Sequence, residues 1–221
     1  RRIDLHTEIG MIHMALEGWA SKAAMEHFVK AEKHCRDGQQ SERRFRTLVG
    51  LITSLTWYGR HSEAKSFAQE LVALAERTGN RIHRLFAHQL SGQVSMYEGK
   101  FLLALSELER ASALYDDRID SQLAFQYGYD PAIVALWNTA YLQWETGALD
   151  QSLASSENAL LLGRRIGHPF SLASSLSWTL DLSSFMWLPE RILQYFKEGM
   201  DVTQRFGFSQ LLAICSFQHG W

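Results

Sequence analysis

The sequence predicts an all-α chain built from a row of antiparallel helix pairs, and three observations point there. Only three of its 221 residues are proline, too few to punctuate the many turns that an all-β chain of that length requires. Apolar residues recur at three- and four-residue spacings, as in Leu71, Val72, Leu74 and Ala75 or Leu153, Leu160, Leu161 and Leu162, a pattern of amphipathic helix and not of strand. Glycines, finally, fall on a lattice. Gly18, Gly59, Gly99 and Gly147 each close an apolar helical stretch, and five positions later stand the small residues Ala23, Ala64, Ala104 and Ser152. Trp187 and Ile192 are a fifth, degenerate instance.

The successive turn residues are 41, 40, 48 and 40 positions apart, and a second series, Gly38, Gly79, Gly128, Gly167 and Gly207, marks the other ends of the units. One lattice accounts for both if the third unit carries roughly eight extra residues, placed between Tyr115 and Asp130. A glycine just past a helix accepts the left-handed conformation that ends it. Prolines do the complementary work: Pro131, Pro169 and Pro189 stand where helices begin, where the missing amide hydrogen is not needed and the fixed φ suits the first turn. Asp130 is placed to cap the helix that Pro131 opens.

Taken in order, the helices are expected over Arg1 to Glu17, Ser21 to Arg36, Ser41 to Tyr58, Ser62 to Thr78, Arg81 to Glu98, Phe101 to Tyr115, Pro131 to Thr146, Leu149 to Ile166, Pro169 to Met186, Pro189 to Phe206 and Ser209 to Trp221. That is about five pairs and part of a sixth, with a period near 40. No pair can bury its apolar stripe alone, so the pairs are expected to stack into one right-handed solenoid over residues 1–221. Gly59 to Ala64 (Gly-Arg-His-Ser-Glu-Ala) and Gly99 to Ala104 (Gly-Lys-Phe-Leu-Leu-Ala) place a glycine at the end of one helix and a close-packed alanine in the next. This is the tetratricopeptide arrangement, here stretched beyond its usual period of about 34.

At the insertion, Leu114, Tyr115 and Asp116, then Leu123 to Pro131 (Leu-Ala-Phe-Gln-Tyr-Gly-Tyr-Asp-Pro) and the Trp144 to Gly147 turn, resemble a block in the C-terminal repeat region of large bacterial signalling proteins. Those proteins join a class III adenylate or guanylate cyclase domain to a P-loop ATPase domain and then to tetratricopeptide-like repeats. Gly167 to Ala173, and Arg205 to Phe208 leading to Gly220 and Trp221, are similar to two further blocks of that region. The likeness runs from about Phe101 to Trp221, and earlier only the repeat geometry agrees. The chain departs from the pattern at Ser152, where alanine is usual, and at Trp187 to Glu190, where a charged turn is common. The resemblance implies a regulatory arm, the cyclase and ATPase centres lying elsewhere in a longer chain. Neither metal-binding cyclase aspartates nor a Gly-x-x-x-x-Gly-Lys-Ser/Thr loop occurs in these residues.

A net charge of −2 provides no cationic excess for duplex nucleic acid. No apolar run is long enough to cross a bilayer. Cys35 and Cys215, 180 positions apart with no other cysteine, point to a reduced, cytoplasmic chain. The nine histidines contain no His-x-x-x-His pair, and His83 with His88 and His6 with His13 are five and seven apart, so neither a metal nor another cofactor is expected. His168 reads as the residue before Pro169 in a tight turn. The Cys35 thiol, at a helix C-terminus beside solvated Lys33, His34 and Arg36, is expected to be poorly ionised. No catalytic residues are assigned.

The binding candidates lie on the first helices of the pairs. Trp137, Tyr141 and Trp144 occupy i, i+4 and i+7, one helix face. Aligning Gly147 with the turn position sets this stripe, and the adjacent Asn138, toward a concave groove. The same ruler sets Gln89 and Gln93 there in the third pair, and Ser177, Asp181 and Ser184 in the fifth. Such a groove suits a protein or peptide partner, self-association, or a small polar effector. The alternative is an ordinary core stripe, with Asp181 bridging to Arg164 or Arg165. The segment Tyr115 to Tyr129 is either an extra helical turn or a loop that a partner touches.

Overall fold

A computed structural model describes residues 2–35 and 41–219. Arg1, Arg36, Gly38, Gly220 and Trp221, which enter the expectations above, lie outside the described residues. Among those residues the chain forms twelve helices and no strand, and it divides into two compact units, residues 1–120 and 121–221.

The first unit holds α1 (Arg2–Glu17), α2 (Lys22–Cys35), α3 (Ser41–Trp57), α4 (His61–Thr78), α5 (Arg81–Tyr97) and α6 (Phe101–Leu114). Each helix packs on its successor, while α1 also touches α3 and α3 touches α5. Phe28 of α2 is fully buried. The neighbouring helices come so close to it that a Cβ on Gly10 or Gly50 would lie 2.9 or 2.2 Å from its ring. Thr7 and Thr47 join α1 to α3 through a 2.9 Å hydroxyl hydrogen bond. The segment after α6 is tied down by Asp120, whose carboxylate receives both terminal nitrogens of Arg81 at 2.6 and 2.7 Å and the Asp116 amide at 2.8 Å.

The second unit holds α7 (Leu123–Tyr127), α8 (Pro131–Glu145), α9 (Leu149–Ile166), α10 (Pro169–Phe185), α11 (Pro189–Phe206) and α12 (Ser209–His219). Again each of the long helices packs on the next, and α10 also touches both α8 and α12. Leu160, Leu176, Leu180, Tyr195 and Cys215 form a buried apolar cluster among α9 to α12. Among the described residues the five-residue α7 is the one helix beyond those expected; it falls in the insertion, where an extra turn is one of two alternatives.

The punctuation follows the sequence closely. Eight glycines, Gly18, Gly59, Gly79, Gly99, Gly128, Gly147, Gly167 and Gly207, have φ between +61° and +108°, and each is on the lattice of turn positions. Among the described residues one non-glycine residue shares this conformation: Trp187, at φ +53°. Pro131, Pro169 and Pro189 all open helices. The Asp130 carboxylate accepts the amides of Ala132 and Ile133, each at 3.0 Å, which satisfies two donors that the helix start leaves free. His168 does the same for α10: its Nδ1 accepts the Ser171 amide at 3.3 Å.

Candidate functional site

A concavity lies in the second unit, where α8, α10, α11 and α12 present Trp144, Ser184, Phe185, Pro189, Ile192, Phe217 and Gln218, and the α10–α11 turn adds Trp187 and Leu188. It encloses about 530 Å³, within the size range of ligand pockets. Trp144 stacks on Phe185 with ring centroids 5.1 Å apart, and Tyr141 meets the same Phe185 edge-on at 5.8 Å. These contacts hold one aromatic wall. The rim is open: Trp187 is 78% and Phe217 63% exposed.

Sequence geometry explains why the rings gather here. Phe185 is four residues beyond Asp181 on α10, and Trp144 ends the i, i+4, i+7 stripe of α8, so both wall residues sit in the last turn of their helices. The chain then reverses through Trp187. At equivalent turns in the chain the left-handed residue is glycine. An L side chain costs roughly 1–2 kcal/mol more there because its Cβ crowds the following carbonyl.

The polar groups at the pocket form one chain of hydrogen bonds. Ser184 Oγ donates to Gln218 Oε1, and Gln218 Nε2 donates to Asp181 Oδ1 at 2.5 Å. Burial pushes the Asp181 carboxyl up, against the Gln218 hydrogen bond. Burial also pushes the Tyr141 phenol up to about 12, helped by the negative charges of Asp181 and Glu145. In both, burial disfavours the charged form. The lining is predominantly carbon, with one amide and one hydroxyl already bonded to each other. Such a surface binds an apolar group; it offers no nucleophile paired with a base.

The nine sequence candidates divide accordingly. Trp144 and Ser184 line the pocket, and Tyr141 and Asp181 support it from behind, all four half-buried. Trp137 is buried and stacks on Trp178 of α10 at 4.3 Å. Asn138 is fully buried, with neither amide atom in reach of a protein hydrogen-bond partner. Ser177 is fully buried too; its hydroxyl donates to the Ala173 carbonyl at 2.8 Å and lies 3.3 Å from the Cys215 sulfur. Gln89 and Gln93 belong to α5 of the first unit and are 0% and 1% exposed, 3.5 Å apart through their amides. The open groove expected for these residues is therefore corrected: Ser177, Asp181 and Ser184 do share a face, but α12 covers it. The anticipated Asp181 bridge to Arg164 or Arg165 is replaced by the bond to Gln218, while Arg164 pairs with Glu198 at 2.5 Å.

Sequence reasoning missed Phe185, Phe217 and Gln218, and used Trp187 only as a flawed turn. An aromatic residue in a position reserved elsewhere for glycine was the available signal.

His83 is buried between Thr78 and Glu42, at 2.9 and 3.0 Å, and His88 pairs with Glu107 at 2.7 Å. Both cysteines are free and buried, and burial pushes both thiols up. For Cys35 burial is the leading cause. A second, smaller concavity, lined in part by Lys65, Gln69, Val72, Glu98 and Lys100, lies in the first unit. Its lysines are committed to Glu98 at 3.0 and 2.8 Å. No helix among the described residues is long and apolar enough to cross a membrane. No protein-family description matches the chain, and no curated protein is significantly similar to it.

Proposed function

We propose that this chain is the non-catalytic interaction arm of a larger signalling protein, and that its aromatic pocket captures an apolar segment of a protein partner. In this reading it is a right-handed tetratricopeptide-like solenoid of period near 40, serving a cytoplasmic cyclase–ATPase protein of the kind that residues 101–221 resemble. What supports the repeat is the recurrence of one turn conformation at the lattice glycines, with small residues five positions on. What carries the binding role is Trp187. It is the largest side chain available, it stands 78% exposed at the pocket mouth, and it occupies a strained φ of +53°. Strain of that kind persists where the surroundings enforce it, and clusters at ligand clamps and switches. An exposed indole beside Phe217 and Leu188 is also the residue type that anchors interfaces.

A small-molecule effector is the second reading, favoured by the pocket volume of about 530 Å³, as in the sensing arm of an ATP-dependent transcription regulator. The two are separated by selecting peptides from a random displayed library on the purified chain and, in parallel, screening metabolites by thermal shift. The interaction reading expects selected peptides that lose about tenfold or more in affinity on Trp187→Ala, with Leu102→Ala as an exposed control on α6. Peptides that bind the Trp187→Ala variant unchanged would refute it. A metabolite that raises Tm only when Trp187 is present would transfer the site to the effector reading.

A further inference from the structure

Outside the pocket, the first helix pair assembles histidines that the linear spacing keeps apart. His6 and His13 project from α1, His27 and His34 from α2. In the folded hairpin their rings form one row: His34 stacks on His6 at 6.3 Å between centroids, His6 meets His27 at 5.1 Å, and His27 meets His13 at 5.8 Å. The first, second and third along the chain are half-buried and His34 is exposed, so the row is open to solvent along one edge.

The Nδ1 atoms of His6 and His27 stand 3.0 Å apart. Two imidazole lone pairs at that distance repel each other, so either one ring carries its proton on Nδ1 or a cation takes both pairs. Nitrogens held about 2.0–2.1 Å from a tetrahedral ion are themselves about 3.3–3.4 Å apart, so the pair lies within a few tenths of an ångström of a chelating edge. The third ring is prepared as well. Glu17 Oε1 lies 2.7 Å from His13 Nδ1, and Glu17 Oε2 accepts from Ser21 Oγ at 2.6 Å. An anionic carboxylate on Nδ1–H leaves the Nε2 lone pair of His13 available, the support that metal-bound imidazoles commonly receive.

We propose that His6 and His27 are a two-imidazole chelate for a divalent first-row transition ion such as Zn²⁺ or Cu²⁺, with the His13 ring turning onto the pair as third ligand and water completing the set. Imidazole nitrogen is the donor these ions favour. Among the described residues no three His, Cys, Asp or Glu side chains converge on one point, so the rotation of His13 is part of the proposal. The bound ion staples α1 to α2. It therefore binds the folded hairpin in preference to the unfolded chain and raises Tm.

Isothermal titration of the chain with ZnCl₂ near neutral pH tests this, alongside the Cu²⁺ electron paramagnetic resonance spectrum of the unaltered protein. One equivalent of Zn²⁺ is expected to bind, with affinity falling about tenfold or more in His6→Gln and in His27→Gln, less in His13→Gln, and not at all in His61→Gln. The Cu²⁺ spectrum is expected to show nitrogen couplings from at least two imidazoles, a readout that needs no variant to fold. Absence of saturable Zn²⁺ binding overturns the site, as does unchanged affinity in both His6→Gln and His27→Gln, or a Cu²⁺ spectrum with fewer than two imidazole nitrogens.

Discussion

Replacing Trp187 separates the strain of its backbone from the contacts of its ring. With 78% of the side chain exposed, about a fifth of its surface is buried, roughly 50 Å² or about 1 kcal/mol. Trp187→Ala loses that contact and keeps an L residue at φ +53°. Trp187→Gly loses the same contact and removes a left-handed penalty of roughly 1–2 kcal/mol, against about 0.5–1 kcal/mol for the greater freedom of glycine in the unfolded chain. The glycine variant is therefore expected to be more stable than the alanine variant by about 0.5–1 kcal/mol, and close to the unaltered protein. In a chain of this length that corresponds to a Tm difference of about 1–4 °C. Urea or thermal unfolding followed by circular dichroism measures it. At an ordinary helical position alanine exceeds glycine by about 1 kcal/mol; that order at residue 187 would refute the strain and, with it, the inference that an unfavourable turn is maintained for the sake of the pocket.

Three further outcomes follow from the packing and the charges. Gly50→Ala drives a methyl to within 2.2 Å of the Phe28 ring and is expected to cost about 2–3 kcal/mol in urea unfolding, part of it recovered by adding Phe28→Leu. Asp120→Ala leaves Arg81 without its bidentate partner. Arg81 is about a third exposed, so the loss is expected at about 2 kcal/mol, below the range for fully buried pairs. His168 has its pKa lowered by burial from 6.5 to about 4, so the folded state resists a proton that the unfolded chain accepts. Its contribution is complete above pH 6.5 and is lost as the pH falls toward about 4. The change is about 1–2 kcal/mol after screening at this partly exposed ring. His168→Asn, which preserves a capping side chain, is expected to flatten the stability profile across that window.

How far the fold could be read from residues alone depends on whether a local rule decides the feature. Helix ends are local: a proline at N1, a carboxylate at Asp130 and a left-handed glycine at Gly79 or Gly167 each act within one turn, and all appear where the spacing puts them. Even the flawed position at Trp187 adopts the conformation its place in the lattice demands. The candidate site was less legible because a stripe at i, i+4 and i+7 says which residues share a face, not what covers that face. Ser177, Asp181 and Ser184 share one as expected, yet it is α12 that lies over it, through Cys215 and Gln218. The pocket takes in only the ends of the stripes, at Trp144 and Ser184, with Phe185 beside them. The histidine row was hidden for the same reason: the seven-residue spacings of His6 with His13 and of His27 with His34 put each pair on one face, but not which helix that face meets.

The indole N–H signals of the seven tryptophans test the central claim most directly. They are assigned by single Trp→Phe substitutions and followed in a nitrogen–proton correlation spectrum while a library-selected peptide is added. Capture by the aromatic pocket predicts that Trp144 and Trp187 shift together and saturate with one equivalent, while Trp19 and Trp57, stacked on each other in the first unit, stay in place. Saturation with Trp19 and Trp57 moving and Trp144 and Trp187 unchanged would place binding elsewhere and contradict the account.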